Sequence, residues 1–107
     1  VVEKKDSAAI NQSIVNLLYR DRRAVPFEPE REINIRSLLF EPMSNAVSAS
    51  LESRIRLVIS QYEPRVRIIS LQVVPYPNKN RYQVVLQYQI SGTENTGELR
   101  HLFQRVG

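Results

Sequence analysis

The sequence predicts an α+β fold, with about three N-terminal helices followed by a three-stranded antiparallel β meander. Apolar residues recur every three or four positions as far as Tyr62, and every second position from Val66 onward. Prolines fall at the joints: Pro26, Pro29, Pro42, Pro64, Pro75 and Pro77. With 107 residues and no repeat or linker, residues 1–107 read as a single domain.

Ser7 to Arg20 carries the stripe Ile10, Ile14, Leu17 and Leu18, with Asp6 or Ser7 as its cap and Asp21-Arg22-Arg23 as its close. Val25-Pro26-Phe27-Glu28-Pro29-Glu30 follows, an extended or turn-like path. Asn34 to Phe40 reads as a short helix with Ile35, Leu38 and Leu39 inward. Phe40 and Met43 are expected in the core beside Leu39. After Pro42, Ser44 or Asn45 caps a longer helix whose stripe is Val47, Leu51, Ile55, Val58, Ile59 and Tyr62, and Pro64 ends it.

The first strand is expected over Val66 to Val74, with Ile69, Leu71 and Val73 on one face and Val66, Ile68 and Val74 on the other. Pro75 to Asn80 is a turn cluster. Tyr82, Val84, Leu86, Tyr88 and Ile90 then alternate with Gln83, Gln87 and Gln89, the cleanest strand signal in the chain. The third strand is expected over Leu99 to Val106, in a poorer pattern.

Composition narrows the function classes. A hydrophobic content of 42% is too high for disorder, and no apolar run approaches the roughly 20 residues of a membrane helix. Val1 to Asp6 lacks the apolar block of a signal peptide, and a first residue other than Met reads as processing or trimming. The absence of cysteine excludes disulfides and thiolate metal sites and points to assembly inside a cell. His101 is the single histidine and sits in a strand-like stretch, so triads and histidine-rich zinc sites have no support. Gly92, Gly97 and Gly107 form no phosphate loop. No cofactor and no metal are expected. Net charge is +4, and Lys4, Lys5 and Lys79 are the only lysines among fifteen basic residues. Such an arginine bias suits interfaces with protein or nucleic acid.

Three motifs stand in order: Pro26-Phe27-Glu28-Pro29, Leu39-Phe40-Glu41-Pro42-Met43, and Tyr62-Glu63-Pro64-Arg65. Together they resemble the contractile-tail baseplate wedge family of T-even phages, type VI secretion systems and other injection machines. The likeness spans roughly Ile10 to Val106. The chain departs from the family where a glycine usually follows the Pro-Phe motif and Arg31-Glu32 stands instead.

The resemblance implies a structural role without catalysis. A subunit of this kind binds other baseplate wedge proteins, presents its sheet to the tail sheath protein, and occurs in several copies in a sixfold assembly. Its place is the virion tail baseplate, assembled in the host cytoplasm, or the bacterial cytoplasm for a secretion relative. Glu63, Pro64 and Arg65 are candidate partner contacts, since a carboxylate at a helix C-terminus opposes the dipole. The structural alternative is a local pair of Glu63 with Arg65 or Arg67 that fastens the turn. Pro26, Phe27 and Pro29 could anchor a partner through a rigid loop, or Phe27 could plug the domain's own core.

Three strands also leave two sheet edges. Val66 to Val74 holds no proline, and Leu99 to Val106 is charged only near its ends. Leu99, His101, Phe103 and Arg105 are therefore candidate docking residues for an extended sheath arm. An edge merely tolerated, or covered by the N-terminal helix, is the alternative. Two other functions compete. A pI near 9.8, many arginines and five tyrosines allow a nucleic-acid-binding module, although Tyr82 and Tyr88 fall on the apolar strand face. Glu28, Glu30, Glu32 and Glu41 allow a small peptidoglycan hydrolase, although so short a chain leaves little room for a sugar cleft.

Overall fold

The computed structural model describes residues 4–22 and 34–105. Pro26, Phe27 and Pro29, with Glu28, Glu30, Arg31, Glu32 and Val106, lie outside the described residues. Three helices come first: α1 (Lys4–Arg22), α2 (Ile35–Phe40) and α3 (Asn45–Tyr62). Three strands follow: β1 (Val66–Tyr76), β2 (Arg81–Ile90) and β3 (Thr96–Gln104), antiparallel in the order β1-β2-β3. This is the expected α+β architecture. No helix among the described residues is long and apolar enough to cross a membrane.

Local chemistry sets the boundaries. Asn34 caps α2 through a box in which its side chain takes the Ser37 N–H at 2.7 Å and the Ser37 hydroxyl takes the Asn34 N–H at 3.1 Å. Ser44, not Asn45, caps α3 by accepting from the Val47 N–H at 3.1 Å. The first helix is already formed at Lys4, the first described residue, ahead of the expected Asp6 or Ser7 cap. Lysine is a good helix former, and nothing at Lys4 or Lys5 breaks the turn.

One cluster of buried residues joins the layers. Ile10, Ile14, Leu17 and Leu18 of α1 meet Ile35 and Leu39 of α2 and Leu51, Ile55, Val58 and Ile59 of α3. Below them lie Leu71 and Val73 of β1, Tyr82, Val84, Leu86 and Tyr88 of β2, and Leu99 and Phe103 of β3. Helix α3 packs against β1, while α1 packs against β3. Two expected core residues are exposed instead. Phe40 ends α2 and lies under the Arg36 guanidinium, 5.4 Å from the ring centre. Tyr62 is 58% exposed because the next inward position after Ile59 is four residues on, and Glu63 takes it.

The first strand departs most from its sequence pattern. A bulge between Ile68 and Ser70 inserts one residue, so Val66 and Ile68 face inward with Leu71 and Val73, while Ile69 is turned out. The strand also continues through Pro75 to Tyr76, and the connection shrinks to a single turn over Pro77–Lys79 with Asn80 left-handed at φ 55°. On β3, strand pairing begins at Thr96 and includes Gly97.

Gly97 is required by packing. A Cβ there would lie 2.5 Å from the Tyr88 ring and hydroxyl, and Tyr88 is fully buried and tied to Asn11. Gly97→Ala is therefore expected to cost about 1–3 kcal/mol by overpacking, read as a Tm lower by roughly 5–20 °C. An unchanged Tm would show that the ring moves aside freely.

Candidate partner-binding site

Glu63-Pro64-Arg65 forms the corner between α3 and β1. The Glu63 N–H closes the helix on the Ile59 carbonyl at 2.9 Å. Pro64 then keeps Glu63 out of the helical region, at φ −130° and ψ 77°. Because the side chain points inward, its carboxylate is only 4% exposed. Arg65 Nε donates to Oε1 at 2.7 Å and Nη2 to Oε2 at 3.1 Å, while the Ser13 hydroxyl of α1 donates to Oε2 at 2.7 Å. Of the two local partners the sequence offers, Arg65 meets the carboxylate. Ser91, after β2, adds two bonds, its N–H to the Arg65 carbonyl at 2.9 Å and its hydroxyl to the Pro64 carbonyl at 3.1 Å. Helices α1 and α3, strand β1 and the turn after β2 thus meet at one tripeptide.

The Arg65 side chain is 54% exposed, so the corner shows a guanidinium outward and keeps its carboxylate within. Arg65 hydrogen bonding holds the Glu63 carboxyl below the usual carboxylate range, helped by Ser13 and opposed by burial. Ser13 has a sequence signal that is easily passed over. It lies three residues after Ile10 and four before Leu17, a small polar side chain on the inward stripe.

The sheet edges differ. Bonds from the Ile90 N–H to the Asn95 carbonyl and from the Arg105 N–H to the Asn80 carbonyl, both 2.9 Å, bracket the β2–β3 ladder and fix its phase. Alternation along antiparallel strands then directs the backbone of Leu99, His101 and Phe103 toward β2. Their side chains turn inward. Leu99 and Phe103 are buried, and His101 Nε2 lies 3.0 Å from the Tyr19 hydroxyl of α1. Arg105 follows the strand, with Nε on the Glu41 carbonyl at 2.8 Å. The outward backbone groups belong to the alternate residues Thr96, Glu98, Arg100, Leu102 and Gln104, all with exposed side chains.

The far edge, on β1, is blunted twice. Pro75 sits opposite Tyr82, whose backbone faces β3, so the position that would offer an outward N–H is a proline. The bulge at Ile68 to Ser70 interrupts the same edge.

The pattern of the baseplate wedge protein gp25 family matches residues 4–95. Baseplate wedge protein gp25 of Enterobacteria phage T4 is 22% identical over 94 residues, which cover 88% of this chain and 70% of that protein. A crystal structure from Geobacter sulfurreducens, of a protein provisionally named a tail lysozyme, superposes with a TM-score of 0.74 at 18% identity. The superposition covers 100% of this chain and 96% of that one, and it shows a shared fold.

The lowered Glu63 carboxyl makes stability depend on acidity. Its ionised form favours the folded chain, so the contribution is complete above the ordinary value of 4.5 and is lost as pH falls through the lower folded value. Between neutral pH and about pH 3, Tm should fall further for the wild type than for Glu63→Gln. Thermal melts across that range check it, and parallel curves would contradict the tie between Glu63 and Arg65.

Proposed function

The chain belongs to the baseplate wedge protein gp25 family, and from that premise we propose that it is the wedge subunit on which a tail sheath begins, accepting an extended sheath arm as a fourth strand beside β3. It is a structural baseplate protein. The reading rests on the asymmetry of the sheet. One edge carries a proline and a bulge, whereas the described outward groups of β3 include an unbroken run at Arg100, Leu102 and Gln104. Strand addition at such an edge draws affinity from backbone bonds and specificity from alternate side chains.

The wedge scaffold of other baseplate proteins is the second partner. Arg65 offers it a charge-assisted donor, with Glu63 and Pro64 fixing where that donor stands. Pro26, Phe27 and Pro29 are proposed as a further contact with the same scaffold, and the copies as members of a sixfold ring in the virion tail baseplate. The chain is proposed to have no catalytic function. Glu63 is held ionised by Arg65, which suits a tie better than a general acid.

Leu102→Pro and Gln104→Pro each remove an outward donor and leave the ladder to β2 in place. Both variants should fold, enter baseplates and fail to grow sheath, seen by electron microscopy of assembled particles. His101→Pro removes a bond to β2 and should destabilise the sheet itself. Normal sheath on a folded Leu102→Pro particle would contradict strand addition.

The same account expects no clearing of peptidoglycan by purified protein. Clearing that disappears in Glu28→Gln or Glu30→Gln would overturn the non-catalytic assignment.

A further inference from the structure

Asn11 of α1 reaches the edge that β3 presents. Its side-chain amide donates to the main-chain oxygen of Glu98 at 3.0 Å, an oxygen that the ladder turns away from β2. The amide is itself oriented, because the Tyr88 hydroxyl donates to Asn11 Oδ1 at 2.7 Å and leaves the nitrogen toward the strand. Tyr88 fits there because position 97 is glycine, where any Cβ would strike its ring. Three elements therefore converge on a single edge carbonyl.

We propose that Asn11 is a register stop for the strand that β3 accepts. This inference rests on the strand-addition reading above. Nδ2 occupies the place of an incoming backbone N–H at Glu98, so pairing is confined to Arg100, Leu102 and Gln104. Alternation alone cannot set that limit. A slip of one residue turns every side chain of the incoming strand to the wrong face and is rejected by packing. Slipping by two restores the faces, so alternation does not exclude it, and an obstruction at Glu98 adds to side-chain fit in rejecting it. A strand running on past Arg100 must displace Asn11. That would leave the buried Tyr88 hydroxyl with the Ser7 carbonyl, 3.5 Å away, as its other acceptor.

Residue-resolved amide hydrogen exchange tests the stop, on the chain alone and in complex with the sheath subunit of the same particle. In the wild type, binding should slow Arg100, Leu102 and Gln104 by about tenfold or more while Thr96 and Glu98 keep their free rates. In Asn11→Ala the slowed stretch should extend to Glu98 and Thr96. Asn11→Asp keeps an acceptor for Tyr88 and loses the donor to Glu98, so it carries the same test should the alanine variant fail to fold. Slowing of Glu98 in the wild type, or an identical footprint in the variant, overturns the stop and leaves strand addition standing. If none of these amides slows, strand addition fails, and the stop fails with it.

Discussion

Each outer strand of a three-stranded sheet turns half of its backbone donors and acceptors away from its neighbour, and those groups need water, a cap or another strand. This chain treats its two edges differently. On β1, Pro75 removes a donor and a bulge breaks the line. On β3, a side chain from α1 takes one outward carbonyl, and the line beyond it runs on through Arg100, Leu102 and Gln104. A sheet open on both sides could add copies of itself without end, whereas one open side favours a single added strand.

What fixes that edge in space is the placement of α1. Its apolar stripe supplies the burial, but burial is not directional. Direction comes from polar side chains on and beside the stripe: Asn11 to the Glu98 carbonyl, Ser13 to the Glu63 carboxylate, and Tyr19 to His101. Glu63 belongs to the same arrangement. As a carboxylate at the end of α3 it opposes the helix dipole, and bonds from Arg65 and Ser13 compensate. The Glu63–Arg65 corner and the β3 edge are therefore both referenced to one helix.

Periodicity made most of the fold legible. The stripe of α1, that of α3 as far as Ile59, and the alternation of β2 appear in the structure with the same residues inward, because burial of one face repeats at the period of the element. Pattern failed where a local insertion changed its phase. Nothing in Val66 to Val74 marks the bulge, and without it Ile69 sorts with Leu71 and Val73. Strand β1 also outran its expected end, since proline tolerates an edge position whose N–H would face outward. Tyr62 was misplaced for a related reason, as the helical period passes over it to Glu63.

The candidate site was half legible. Glu63-Pro64-Arg65 stood out as a motif with an electrostatic oddity. Leu99, His101, Phe103 and Arg105 are the docking candidates the sequence offers on β3, yet the outward backbone belongs to the residues between them, because ladder phase depends on pairing that sequence does not carry. Asn11, Ser13 and Tyr19 draw their roles from contacts 50 to 87 residues away, beyond any local pattern. A density map of the junction between baseplate and first sheath ring in an assembled particle tests the central claim most directly. The account predicts a fourth strand hydrogen-bonded to the outward groups of Arg100, Leu102 and Gln104. A map with β3 facing solvent and the sheath resting only on the helices would contradict it.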